Sequence, residues 1–249
     1  MTFSREVIRE LLAGSTEQRL ALKETYAQLP GTRCRRRTHC CSLLPEMSLV
    51  EALTAVQLLV DMVPKQRHQL SRRMIHYFFL NPVEICMCPF LEGQACLIYQ
   101  ERFLGCRAYG LWSREYYQKQ ANCSRQGKLL SQQQWQRVGV ALPQEVVDFH
   151  LDYCPHVELE GYVSVHDELL VQTSDVIDSI SAQLVPWHDQ FRQEYFSDLS
   201  FLLASTSLGL QQAIQLKFEI VRDILSTGNH EKVEDIVDKL DDLFEVIRN

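Results

Sequence analysis

Between Cys86 and Arg107 the chain reads Cys-Met-Cys-Pro-Phe-Leu-Glu-Gly-Gln-Ala-Cys-Leu-Ile-Tyr-Gln-Glu-Arg-Phe-Leu-Gly-Cys-Arg. Cys86, Cys88, Cys96 and Cys106 thus fall in one short segment, with Pro89, Gly93 and Gly105 to bend the backbone between them. A regular helix or strand cannot aim several thiolates at one point, whereas a turn-rich loop can. Cys34, Cys40 and Cys41 lie upstream, the last two adjacent. The arrangement predicts a metal or iron–sulfur site in an irregular loop, with the rest of the chain as its support.

The redox setting decides how nine cysteines are read. The N-terminus, Met-Thr-Phe-Ser-Arg-Glu-Val-Ile-Arg-Glu-Leu-Leu, scatters both charges through its apolar residues, which is not the form of a signal peptide. No apolar run approaches the roughly 20 residues of a membrane span; Ala55–Val63 is broken by Gln57 and Asp61. The expected compartment is therefore the cytoplasm, where thiols stay reduced. An odd cysteine count and a vicinal pair fit a disulfide framework poorly. Metal or cluster binding outweighs disulfides and merely buried cysteines. A net charge of −7 argues against nucleic acid and anionic membrane as partners.

Elsewhere the patterning is helical. Ile8, Leu11 and Leu12 share a face, and Ser15-Thr16-Glu17-Gln18 has the form of a capping box opening a second helix that stops before Pro30-Gly31. Thr32 to Cys41 reads as a loop. Its arginines, Arg33 and Arg35 to Arg37, are either a solvated basic patch or a counter-charge to clustered thiolates. Ser48-Leu49-Val50-Glu51 is another capping box, followed by Leu49, Leu53, Val56 and Val63 at helical spacing, with Pro64 to end or kink the helix. A further helix is expected over Gln66 to Leu80, and a short strand over Ala95–Tyr99 facing Pro89–Leu91 across Glu92-Gly93. Tyr109, Trp112, Tyr116 and Tyr117 suggest a helix laying rings over the cysteines, followed by a polar stretch to Gln134. Pro143 suits the first position of a helix through Phe149, broken by Cys154-Pro155-His156.

From Asp167 three apolar stripes follow: Leu169, Val176, Ile177, Ile180 and Leu184; Phe191, Tyr195, Leu199 and Leu202; and Leu210, Ile214, Phe218, Val221 and Leu225. A last helix after Gly228-Asn229 carries Val233, Ile236, Val237, Leu240, Leu243, Phe244 and Ile247. Its acidic outer face (Glu231, Glu234, Asp235, Asp238, Asp241, Asp242, Glu245) is most simply a solvated surface, with a partner-docking surface the alternative. The expected fold class is mainly α, an irregular cysteine-rich middle segment joined to a C-terminal helical bundle. The expected segments are N-terminal helices over 1–30, a cysteine-cluster region over 31–125 and a C-terminal helical region over 126–249, with packing as one domain left open.

Four thiolates suffice for a tetrahedral zinc or a cubane cluster. The candidates Cys34, Cys40, Cys41, Cys86, Cys88, Cys96 and Cys106 exceed that number, so some are bystanders or the site holds more than one metal ion. Structural zinc favours C-x₂₋₄-C knuckles; Cys86-Met-Cys88 is tighter and Cys34 to Cys40 wider, which tilts the balance toward iron–sulfur or a multi-metal site. His39 suits a hydrogen bond to the centre better than ligation. Cys123 and Cys154 read as structural, Cys123 being the likelier recruit. The chain has no G-x-G-x-x-G, no phosphate-binding loop and no H-E-x-x-H, and a Cys–His nucleophilic pair explains the clustering less economically.

These residues resemble the zinc- or iron-chelating CxxCxxCC (YkgJ-like) family of bacterial cysteine-cluster proteins. The matching positions are Cys88-Pro89-Phe90-Leu91, Gly93, Cys96, Ile98-Tyr99, Arg102 and Cys106-Arg107, together with Cys34, Cys40 and Cys41 upstream. Arg37 stands where the family has a further cysteine, Thr38 replaces a glycine and Phe103 a proline. The resemblance spans Cys34 to Arg107. It implies zinc or iron bound by Cys34, Cys40, Cys41, Cys88, Cys96 and Cys106, with Cys86 as compensation for the missing ligand. Flagellin lysine-N-methylases carry a similar pattern, which implies an alternative as an S-adenosylmethionine-dependent enzyme acting on a protein substrate. A third expectation is a zinc-stabilised module that docks a protein partner. In the metal-binding reading Arg107 and the upstream arginines balance charge, while Tyr99 and Trp112 shield the site.

Overall fold

Ser48 forms both halves of a capping box: its Oγ accepts from the Glu51 amide, and the Glu51 carboxylate accepts from the Ser48 amide at 2.8 Å. The helix it opens, α3 (Leu49–Asp61), is buried on nearly every face, through Leu49, Val50, Ala52, Leu53, Ala55, Val56, Leu59 and Val60. A helix apolar all round belongs inside, and the others wrap it. The computed structural model describes residues 2–34, 38–161 and 164–240, and helix takes up 65% of those described residues.

In chain order, α1 (Arg5–Gly14) and α2 (Thr16–Ala27) lead to a short strand, β1 (Thr32–Cys34), and a 3-10 turn over His39–Cys41. After α3 comes α4 (Pro64–Leu80), with proline in its first turn where no amide donor is missed. Strands β2 (Leu91–Glu92) and β3 (Ala95–Cys96) form a hairpin, followed by a 3-10 turn over Tyr99–Glu101 and α5 (Leu104–Ala108). Then come α6 (Arg114–Arg137), α7 (Gln144–Asp148), β4 (Val157–Leu159), α8 (Asp167–Ala182), α9 (Trp187–Glu194), α10 (Leu199–Leu208), α11 (Leu210–Thr227) and α12 (Glu231–Asp238). Strand β4 returns to pair antiparallel with β1, setting Cys34 opposite Val157. Among the described residues no helix is long and apolar enough to cross a membrane.

One apolar cluster runs from Phe3 and Ile8 through α3 and α4 to Phe191, Leu202, Ile220 and Val237, and takes in Cys88, Phe90, Ile98 and Phe103 from the cysteine segment. The C-terminal helices therefore pack on the N-terminal ones: α8 lies against α2 and α3, while α10, α11 and α12 lie against α4. Helix α6 differs. It has 24 residues and none is buried. It is fastened at its ends, by Ser113, whose amide bonds Asp167 Oδ1 at 2.7 Å at the start of α8, and by Trp135 against Phe218 of α11 at 4.7 Å.

Several local expectations shift. Ser15 makes no capping hydrogen bond, because its amide still bonds Leu11 and α1 runs almost directly into α2. Helix α3 ends at Asp61, leaving Val63 outside it and exposed. The hairpin is shorter than expected, pairing Leu91 with Cys96 and Glu92 with Ala95. The polar stretch before Gln134 is helical, as part of α6. On α8 the inward face is Leu170, Thr173, Ile177 and Ile180, and Leu169 and Val176 face solvent. The stripe from Phe191 to Leu202 is split between α9 and α10 by Phe196 and Ser197, both left-handed. That break is bonded on both sides, Ser197 N to Phe191 O and Met47 N to Ser197 O. Leu243, Phe244, Ile247, Asp241, Asp242 and Glu245 lie outside the described residues, as do Arg35, Arg36 and Arg37.

Candidate metal centre

Three separate pieces of chain meet at the cysteines, and backbone hydrogen bonds join them. The 3-10 turn carrying Cys40 and Cys41 is tied to the second piece by Cys88 N donating to Cys41 O at 2.7 Å. That piece folds on itself through Leu91 N to Cys88 O and Leu97 N to Phe90 O, and Gly93 takes the left-handed turn of the hairpin at φ 59°. The third piece, α5, brings Cys106. It is held by Glu51 Oε1, which accepts from Leu104 N at 2.7 Å, and by Phe103 edge-on to Phe90. The 42–47 loop is pinned in turn by Leu44 N on the Tyr77 hydroxyl at 2.9 Å.

Cys40, Cys41, Cys88, Cys96 and Cys106 are close enough that their charges act on one another. Burial pushes the Cys88 thiol up to about 12 and Cys106 well above the ordinary thiol range, and Cys96 moves the same way. In the vicinal pair the sulfurs are 3.8 Å apart. Hydrogen bonding between them pulls Cys40 down to about 7 and pushes Cys41 up. Tyr109 lies within the electrostatic reach of both Cys40 and Cys154. Gly110 comes so close to the returning chain that a Cβ on it would meet the Val157 side chain at 2.5 Å.

The remaining expected ligands stand differently. The Cys86 thiol lies within reach of the charges of Glu84 and Lys217; burial first, and Glu84 second, raise it to about 11. Cys34 sits on β1, two residues beyond Thr32 and on the same face of the strand. Cys123 is exposed on α6, and His39 is exposed on its turn. Trp112 stacks on Tyr116 at 4.3 Å in a separate apolar cluster with Ala108, Leu111 and Leu170, so it does not cover the thiols.

The counter-charge comes from a residue other than Arg107. Arg107 Nε donates to Arg102 O at 2.7 Å, a second guanidinium nitrogen bonds Gln100 O, and the group lies over the Tyr26 ring at 4.2 Å. Arg102 instead lies where its charge favours the thiolates of Cys40, Cys96 and Cys106. Its Nη2 donates to Thr32 Oγ1 at 2.9 Å and its plane covers Tyr99 at 4.4 Å, while its Nε is buried with no hydrogen-bond partner. The sequence expectation named Arg107 with the arginines near Cys34; of the two arginines in this segment Arg102 is the one whose charge reaches the thiols, and Arg35, Arg36 and Arg37 lie outside the described residues.

Among the described residues no three Cys, His, Asp or Glu side chains close around one point as a bound ion requires. The donors suit a soft or borderline cation in kind, being thiols carried by three tied segments, of which burial raises Cys88, Cys96 and Cys106 while Cys40 is lowered. The chain matches no protein-family model, no curated protein and no solved structure.

Proposed function

We propose that this chain is a metal-binding protein of a reducing compartment, holding an iron–sulfur cluster or zinc through thiolates of Cys40, Cys41, Cys88, Cys96 and Cys106. The observation that carries the proposal is the convergence of these thiols from three chain segments into one electrostatically linked group. Burial raises most of them, and a buried thiol gives up its proton readily only to a cation. In this reading the chain is a divergent relative of the YkgJ-like cysteine-cluster proteins, with Cys34 flanking the site and Cys86 outside it. When bound, zinc would fasten the three segments to one another, and a cluster would add electron transfer. The protein's own part is to bring the segments together through Cys41 O, Glu51 and Tyr77 and to keep water from Cys88, the most buried of the cysteines.

The test is the metal and acid-labile sulfide content of protein purified without oxygen. Iron with matching sulfide identifies a cluster, and zinc without sulfide a structural ion. Protein that takes up neither metal, even when the metal-free thiols are offered iron and sulfide or zinc, overturns the proposal.

A further inference from the structure

The two sulfurs of the vicinal pair Cys40 and Cys41 stand 3.8 Å apart, at contact distance. The 3-10 turn that carries them is tied on both sides: Cys41 N donates to Thr38 O at 2.8 Å, Ser42 N to His39 O at 3.2 Å, and Cys41 O accepts from Cys88 N at 2.7 Å. Both residues are half-buried and keep part of their surface open to solvent, whereas Cys88 is buried. A direct bond between the pair suits this turn poorly. The sulfurs would have to close to about 2.05 Å, and the neighbouring Cα atoms, about 3.8 Å apart across their trans peptide, fall short of the roughly 4.4–6.8 Å that disulfides span. One thiophilic atom set between the sulfurs asks for far less movement, because it bonds both and leaves them near contact distance. Two thiols ordered before the ligand arrives also remove part of the cost of binding.

We propose that Cys40 and Cys41 form a two-sulfur site for a monosubstituted trivalent arsenical. Trivalent arsenic is a soft centre that forms three bonds, and thiolates are the soft ligands a protein has to offer. An arsenical with one carbon substituent already holds one of the three, so two sulfurs complete it. On binding, two arsenic–sulfur bonds form and the bonds from arsenic to oxygen break. The oxygen leaves as water with the two thiol protons, arsenic stays trivalent and nothing is oxidised. Inorganic arsenite carries no carbon and needs a third sulfur, and among the described residues no three Cys, His, Asp or Glu side chains close around one point. The geometry therefore selects the monosubstituted form over arsenite. The site stands apart from the metal reading above, since it asks nothing of Cys88, Cys96 or Cys106.

Phenylarsine oxide added in equimolar amount to the full chain, reduced and stripped of metal, tests the site, with native mass spectrometry as the readout. One arsenical is expected per chain, held against excess mercaptoethanol and released by dimercaptopropanol, a pattern that two sulfurs on one arsenic produce and a single sulfur does not. Cys40→Ser and Cys41→Ser should each weaken binding about 100-fold or more, since the second bond goes and with it the effective concentration that made it intramolecular. Cys40→Ala and Cys41→Ala take their place where a serine variant loses its helical circular dichroism. Cys88→Ser, Cys106→Ser and Cys123→Ser should bind as the wild type does. Arsenite should be lost to mercaptoethanol where the phenyl compound is retained. No uptake by the wild type, or wild-type affinity in a Cys40 or Cys41 variant, overturns the proposal, as does an equal loss in Cys88→Ser or Cys106→Ser. Arsenite held as tightly as the phenyl compound overturns it too, and identifies a three-sulfur site. The expected pattern in a chain that takes up neither iron nor zinc would leave this site standing after the metal reading had fallen.

Discussion

Glu51 and Arg102 are both charged side chains drawn in from water, and the two regions around them treat that charge in opposite ways. Glu51 is 5% exposed, and every lone-pair direction is in use: Oε1 accepts from the Tyr26 hydroxyl and Leu104 N, Oε2 from the amide and hydroxyl of Ser48. Arg102 keeps a buried donor without an acceptor, beside thiols that burial holds protonated. The surroundings of Glu51 are the finished half of this pair and those of Arg102 the unfinished half; the helical frame as a whole keeps orphaned polar atoms of its own, Ser15 Oγ and Arg19 Nε.

The sharpest way to break this contrast is to remove donors from the unfinished half. Cys88→Ser and Cys106→Ser should each abolish metal retention after gel filtration, while Cys123→Ser, exposed on α6, should retain the wild-type metal content. Next is the finished half. Glu51→Ala strands the Tyr26 hydroxyl, two amides and the Ser48 hydroxyl, and should cost about 3–5 kcal/mol in urea unfolding, the range for breaking a buried charged network. Because Glu51 also anchors the start of α5, the same variant should hold metal less tightly.

A smaller effect is expected at Lys217, where burial lowers the amine from its ordinary 10.5 to about 8. Between those values the folded chain has released a proton that the unfolded chain still binds, so stability rises with pH through that window and the full burial penalty acts below about 8. Lys217→Met should remove that slope from the pH dependence of thermal unfolding and gain about 1–3 kcal/mol at neutral pH. The loss of the contact of its Nζ with the Phe78 ring, 4.1 Å away, offsets part of the gain. The smallest change belongs to α6: Gly127 lies in the helix interior with nothing within 4 Å of a Cβ, so Gly127→Ala should stabilise by about 0.5–1 kcal/mol in the same assay.

Helical character was legible from the sequence because periodicity and caps are local. Ser48 and Glu51 form the capping box that their spacing predicts, since nothing upstream competes for the Ser48 amide. Ser15 heads a similar run and caps nothing, because its backbone, at φ −101° and ψ 18°, is not extended as that of Ser48 is, and α1 runs almost directly into α2. The apolar stripe from Phe191 to Leu202 hid a break because left-handed Phe196 and Ser197 are held by a hydrogen bond to Met47, far away in sequence. At the candidate site the two cysteine-bearing stretches were legible, and where each sulfur would come to lie was not. Cys86 and Cys88 stand two residues apart, a spacing that would share a face on a regular strand, yet in this irregular segment Cys88 lies within reach of the charges of Cys40 and Cys96 and Cys86 of those of Glu84 and Lys217. No spacing rule chooses between Arg102 and Arg107 either. The choice depends on Thr32, Tyr99 and Tyr26, which only the folded chain brings near.

Helix α6 works as a ruler. Its 24 residues span about 36 Å at 1.5 Å per residue; Ser113 and Trp135 fix its ends, and between them Lys128 Nζ donates to Val146 O at 3.3 Å and to Phe149 O. Apart from such anchors its exposed face tolerates exchange of side chains, yet its length is quantised. One added residue turns Trp135 by about 100° away from Phe218. Seven added residues restore the phase but carry the anchor about 10 Å too far. Sequence drift on the open face of this helix is therefore far freer in composition than in count.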